Sequence, residues 1–316
     1  MSRPTPTYQP PSTEAMIDGQ NDLQAFRLLL AQRRLYSRAK RWSFLRWIGF
    51  SIIGVAAPIL TVAVPEAAVI VGAVAGIWIF LSRAAFSSIE QKLAGKAAEI
   101  QERFDQLVFA MPELATRVPS ASMEDIARLV GPDEAVATDA QKENLKDWYP
   151  LDARVDGAIS IAIAQRANAA YSERLLRDNA NVWLAITLAW STAAIIVGCL
   201  VGLTSEQFVL GMALPLLPAL LDVWDQFRLT KHAGEVRRAM ADDIETAIRG
   251  RNLTPDDLLL WQEQTYELRR TSPQVPNLVY KRARRRNEHA MSTVAAELAE
   301  IALSGSGNQG TESRPS

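Results

Sequence analysis

The sequence predicts an all-α integral membrane protein, with four transmembrane helices in two hairpins (2+2) and a helical cytoplasmic region. Three observations predict it. Apolar residues make up 48% of the 316, yet they collect in four blocks that exclude charge. The blocks come in two pairs, each joined by a tight connection. Lys and Arg crowd the outer flanks of each pair and are missing from the connections.

Trp47 to Pro65 carries no charge over 19 positions, and Ala67 to Ser82 none over 16. Asn179 to Ser205 is uncharged for 27 positions, and Gln207 to Leu221 for 15. At about 1.5 Å per residue, a 19-residue helix covers about 28 Å, close to the roughly 30 Å of a bilayer core. The second and fourth blocks gain reach if their helices continue past the charge. Arg83 can snorkel, and Val223-Trp224 follow Asp222. The alternative is four buried helices of a soluble protein, but core helices seldom stay uncharged on every face for so long.

The connections Ala63-Val64-Pro65-Glu66 and Leu203-Thr204-Ser205-Glu206 each hold one carboxylate and no cation. Arg33, Arg34, Arg38, Lys40, Arg41 and Arg46 precede the first block, and Arg83, Lys92 and Lys96 follow the second. Arg166, Arg174 and Arg177 precede the third, and Arg228 and Lys231 follow the fourth. The positive-inside rule then puts both termini and the middle region in the cytoplasm of a multi-pass inner-membrane protein. Trp42, Trp47, Trp78, Trp183 and Trp224 sit near block ends, as interfacial aromatics do. The first block starts too late for a cleaved signal peptide. Gly72 and Gly76, and Gly198 and Gly202, form GxxxG pairs that let a second backbone approach closely. Pro58, Pro215 and Pro218 predict kinks.

The expected divisions follow. Residues 1–17 form a disordered N-terminus rich in Pro, Ser and Thr, and 18–46 an amphipathic helix. Hairpin 1 is 47–82, a cytoplasmic helical region 83–178, hairpin 2 179–224, C-terminal cytoplasmic helices 225–303, and a disordered tail 304–316. After the second block, Ile89, Leu93, Ala97, Ile100, Phe104 and Leu107 form one helical stripe that continues the membrane helix. Glu99 and Arg103 are spaced to pair. Pro112 and Pro119 break the chain. Ser122 with Asp125 opens a helix over Met123 to Val130, which Gly131-Pro132 ends. A further helix begins near Asp152. The helix of the fourth block reaches about Arg249, with Gly250 as C-cap. Thr254-Pro255-Asp256-Asp257 opens another to about Arg270, and a last one runs from about Val279 to Leu303.

The chemistry is more notable for what is missing. The sequence has no GxxxxGK[ST], HExxH, GxSxG or CxxC, so no enzyme, catalytic residue or cofactor is predicted. One Cys and two His, His232 and His289, make no metal site. A net charge of −1 argues against a partner as long as DNA or RNA. Glu66, Glu206 and Asp222 lie at block ends rather than at mid-membrane, which disfavours a transporter. Two basic segments remain. Lys281-Arg282-Ala283-Arg284-Arg285-Arg286 reads as an anion site or as a solvated face beside anionic lipid. Gln32 to Lys40 mixes cations with Tyr36, a pattern that grips phosphate and stacks a base, or serves only as a juxtamembrane collar.

Short motifs in order resemble a known family. They are Gln20-Asn21, Ala31-Gln32-Arg33, Leu35-Tyr36-Ser37 and Ala39-Lys40, then Arg103-Phe104-Asp105, Asp147-Trp148-Tyr149-Pro150 and Gln165-Arg166-Ala167-Asn168. Leu268-Arg269-Arg270, Val275-Pro276-Asn277-Leu278-Val279-Tyr280 and Arg284 complete them. Their order around a 2+2 layout, over about residues 18–291, resembles the SMODS-associated four-helix transmembrane effectors. The resemblance implies an anti-phage effector. A partner nucleotidyltransferase would supply a cyclic nucleotide messenger, and the effector would disrupt the inner membrane by forming a pore, as a homo-oligomer when active. The candidate ligand contacts are Arg33, Tyr36, Lys40, Arg166, Arg269, Tyr280 and Arg284. The second reading is a non-enzymatic membrane scaffold whose basic segments touch anionic lipid.

Overall fold

Long helices set the architecture, and two of them change solvent along their length. The computed structural model describes residues 8–64, 66, 68–113 and 121–306, and all its regular elements are helical. Helix α1 is Thr13–Gly19, and α2 is Leu23–Ala63. The 41 residues of α2 carry the basic segment and the first apolar block on one rod, where two helices were expected. Helix α3, Ala68–Leu81, passes through a π-helical turn at Ser82–Phe86 into α4, Ser87–Phe109, as the continuous stripe predicts. Pro65 and Ala67 in the first connection and Pro119 lie outside the described residues.

Two short helices, α5 (Met123–Val130) and α6 (Asp133–Lys142), brace α2. Ser122 caps α5 by accepting from the Asp125 amide, and Gly131 ends it at φ 86°. Helix α7 is Gly157–Val201, started by Asp156 rather than near Asp152. Then come α8 (Ser205–Phe208), a π-helical turn at Val209–Ala213, and α9 (Leu214–Gly250). Gly250 stays inside α9, and Arg251 takes the left-handed cap at φ 53°. Helix α10 is Pro255–Thr271, with the full Thr254–Asp257 capping box. Helix α11, Asn277–Ser306, runs three residues into the tail expected to be unstructured.

Residues 8–17 correct the expectation of disorder. Tyr8 is buried and donates to the Phe109 carbonyl at 2.7 Å. Thr13 donates to the Val155 carbonyl at 2.6 Å, and Met16 is fully buried. Gly157 leaves room for the Pro11 carbonyl, which any Cβ there would strike. The remainder of the two terminal expectations, residues 1–7 and 307–316, lies outside the described residues.

In the assembly, α7 lies along α9 and α2 along α4, while α10 contacts α4 and α7. A core that includes Leu29, Ile100, Phe104, Phe109, Ile161, Ile244 and Leu258 joins them at one end. The other ends are different. Among the described residues two helices, Val69–Phe109 and Gly157–Val201, are long and apolar enough to cross a membrane. Only 6% of each apolar window is buried. Ser205–Ala213 and Leu216–Gly250 make a third such span if the 58° bend between them lies within one crossing. Pro215 and Pro218 fall at this bend, where a missing N–H loosens the helix ladder.

Candidate ligand-binding site

The basic segment of α2 faces α7, α9, α10 and α11 across a cavity of about 480 Å³. Gln32, Tyr36 and Lys40 recur every four residues, so one face of α2 supplies them. Tyr280, Lys281 and Arg284 come from α11 at similar spacing. The last turn of α10 brings Arg269, and α9 brings Arg237. Trp148, Asn168 and Ser172 close one side, and Ser272 to Val275 another. Among the described residues, Arg33, Lys40, Arg237, Arg269, Lys281 and Arg284 line it, and no carboxylate does.

These cations are not equally compensated. Arg269 meets the buried Asp105 carboxylate at 2.5 Å, which also accepts from Tyr149 Oη at 2.6 Å and Gln262 Nε2 at 2.9 Å. Burial works against the Arg269 charge, but Asp105 and Tyr149 outweigh it and hold the guanidinium well above its ordinary range. The Nη2 of Arg269 is buried and has no hydrogen-bond partner. Arg237 is 6% exposed, and it donates to the Ser272 hydroxyl and the Leu268 carbonyl, both at 2.7 Å, and to the Ala233 carbonyl at 3.1 Å. All three acceptors are neutral. Burial, then repulsion by Arg269, pulls Arg237 down to about 10. Lys40 donates to Asn277 Oδ1 at 3.3 Å and sits 5.3 Å over the Tyr280 ring. Burial, then Arg33, lowers it to about 8. Burial pushes the Tyr36 phenol up to about 12. An anion entering here would favour the charged forms of Arg237 and Lys40 and leave the Tyr36 phenol neutral.

A second cavity, about 410 Å³, shares Arg33, Trp148, Asn168, Tyr280 and Arg284 with the first. Its wall adds Tyr171, which meets Tyr280 edge-on at 6.5 Å. Trp148 is held by an edge contact with Phe104 at 6.4 Å. Among the described residues no group of three His, Cys, Asp or Glu side chains converges as metal ligands would.

The motifs scattered along the sequence interlock around this site. Gln20 exchanges two hydrogen bonds with the backbone of Tyr149, and Asn21 two with Asp147. Asp105 joins Tyr149 to Arg269. Gln165 donates to Gln262 at 3.1 Å, which also donates to Glu102 at 2.7 Å. A model of the SMODS-associating 4TM effector domain matches residues 15–298, nearly the whole described chain. The chain belongs to this family. It is therefore a membrane protein and an effector domain associated with SMODS systems, which signal through cyclic oligonucleotides; the family is not a known enzyme family. No curated protein and no solved structure matches the chain.

In this 4TM effector domain the cavity gathers Arg33, Tyr36, Lys40, Arg269, Tyr280 and Arg284. Arg166 lies elsewhere and pairs with Glu245 at 2.9 Å. Arg33 also pairs with Glu143 at 3.4 Å. Open space surrounds Gly72 and Gly76; Gly198 faces the Phe208 ring, and Gly202 is the left-handed cap of α7. Sequence reasoning did not single out Arg237. Its signal was there: Arg237 shares the buried stripe of Met240, Ala241, Ile244 and Ile248. A cation in an apolar stripe calls for a partner.

Proposed function

We propose that the protein is the membrane-disrupting effector of a bacterial anti-phage, abortive-infection system. A partner nucleotidyltransferase makes a cyclic nucleotide messenger, the messenger enters the basic cavity, and the effector forms a pore in the inner membrane. The observation that carries this reading is the carboxylate-free cavity walled by six cations, built on helices that continue into apolar blocks. Arg33, Tyr36, Lys40, Arg269, Tyr280 and Arg284 are the proposed messenger contacts, joined by Arg237. Arg166 is left out, because its charge is met by Glu245.

The helices form two hairpins of two spans, with both termini in the cytoplasm. Coupling runs by contact. Ser272, Pro273 and Gln274 line the basic cavity and also a larger one, about 670 Å³, whose other walls include Arg46, Glu90 and Gln226 at the bases of the spans. A messenger that draws α10 and α11 onto α2 would shift this linker and loosen the collar, where Arg46 holds Glu90 at 3.1 Å and Arg83 holds Asp222. Moving a population from 1:99 to 99:1 requires about 5.5 kcal/mol of differential binding, within reach of several phosphate–Arg contacts. The bound state associates with further copies to open the pore, among anionic lipids that contact the basic collar.

The test is dye release from anionic liposomes holding the full chain. Release should follow addition of a cyclic nucleotide and be absent without it. No release and no binding across a panel of cyclic di- and trinucleotides would overturn the reading.

A further inference from the structure

Charge accounting within the two joined cavities says more about the ligand. Two cationic pairs beside the messenger space each contain one guanidinium already met by a carboxylate and one cation met only by neutral groups; Arg284, which lines both cavities, is already engaged. In the inner pair, Arg269 has Asp105, whereas Arg237 has two carbonyls and the Ser272 hydroxyl. In the outer pair, Arg33 has Glu143, whereas Lys40 has the Asn277 amide oxygen and the Tyr280 ring. The two members of each pair lie close enough to repel one another. Each pair thus carries one uncompensated positive charge. Lys281 at the first cavity and Lys146, beside Asp147, at the second are exposed to solvent at the rim.

The unpartnered Nη2 of the buried Arg269 is an independent pointer to a missing acceptor. Nearby, Trp148, Tyr171 and Tyr280 offer ring faces and edges in the second cavity. Aromatic walls of this kind hold bases by stacking, with little regard to base identity. The two cavities together lie in the upper part of the roughly 300–1,000 Å³ range of small-molecule sites.

Resting on the messenger reading above, we infer that the joined cavities form one bipartite site for a cyclic dinucleotide. One phosphodiester lies on Arg237 and Arg269, the other on Arg33 and Lys40, and one base lies against Trp148 and Tyr280. Two single charges face two single charges. A mononucleotide would satisfy one pair and leave the other buried and unpaired. A cyclic trinucleotide would bring a third phosphate, for which the wall has only the exposed Lys146 and Lys281 and the already engaged Arg284.

Binding of cyclic di-AMP, cyclic GMP–AMP, cyclic tri-AMP and AMP to the full chain in nanodiscs, measured by calorimetry, tests this. A cyclic dinucleotide should bind most tightly, about a hundredfold or more above AMP, because AMP forgoes one charge pair. Arg237→Gln and Lys40→Met should each weaken it about tenfold or more, with Tyr280→Leu weaker by a smaller factor. Arg238→Gln, on the exposed face of α9, should change nothing. Arg237→Lys keeps the charge without the fork and guards against a folding artefact; it should retain more affinity than Arg237→Gln, with an unchanged melting curve. Tighter binding of cyclic tri-AMP than of either dinucleotide, lost in the same variants, would overturn the two-phosphate assignment and leave the messenger reading intact. Binding of none of the four would overturn the inference, and liposome leakage with a wider panel would then decide the messenger reading by itself.

Discussion

The packed and the apolar halves of this chain solve opposite problems with the same helices. On α7, Ile161 is fully buried against other helices, while Leu200, near the far end of the same rod, is 81% exposed. On the chain that forms α3 and α4, Phe80 is 69% exposed and Phe104 is fully buried. In the packed half, water drives apolar side chains together, and the polar groups trapped there must be satisfied by each other. Asp105, Tyr149, Gln262 and Arg269 do so. In the apolar half, lipid removes the incentive to cluster, so large side chains can face outward at no cost. A stability perturbation should therefore register strongly on one side and weakly on the other.

The largest effect is expected at Asp105. Asp105→Ala strips the buried Arg269 guanidinium of its paired carboxylate, orphans the Tyr149 hydroxyl and leaves Gln262 with Glu102 alone, so unfolding in mild detergent should become easier by about 5 kcal/mol. Next, Phe104→Ala should cost about 4 kcal/mol by opening a core cavity, whereas Phe80→Ala should cost less than about 1 kcal/mol. Equal losses at the two phenylalanines, in parallel melts, would erase the distinction between the halves. Arg34 is an intermediate case. It caps the end of α5 through the Leu129 and Val130 carbonyls and pairs with Asp139 at 2.9 Å, so Arg34→Ala should cost about 1–2 kcal/mol and free α5 and α6 to exchange amide hydrogens faster.

The smallest effect is a pH dependence confined to the packed half. Lys40 is lowered to about 8, so it is charged at neutral pH and loses its proton as pH rises through that value. An anionic ligand favours the charged form, so its affinity should fall about tenfold from neutral pH to about pH 9.5, and Lys40→Met should flatten that slope. Stability runs the other way. The folded chain binds fewer protons than the unfolded one between about 8 and 10.5, so the Lys40 contribution to stability improves as pH rises across that window. A melting temperature that falls there, in a titration corrected with Lys40→Met, would contradict the burial assigned to this lysine.

Much of the helical layout was legible because it rests on local signals. Thr254-Pro255-Asp256-Asp257 and Ser122 start helices through their own side chains, and the stripe from Ile89 to Phe104 needs only helical spacing. Two helices escaped notice for equally physical reasons. Helix α6 buries only Val136 and Ala140, too little apolar surface to mark a face. Helix α1 follows a Pro-rich stretch and is held by partners more than a hundred residues away, Val155, Ser160 and Tyr149.

By itself the sequence determined that the chain is helical, that parts of it belong in lipid, and which motifs it shares with its family, because charge exclusion, capping and spacing are properties of neighbours along the chain. Only the tertiary structure decided that six of the seven candidate contacts surround one cavity, that Arg166 belongs to Glu245, and that Arg237 completes the wall. Those outcomes depend on which side chains share a buried space across α2, α9, α10 and α11. The energy of a charge there is set by partners distant in sequence, which no local pattern records.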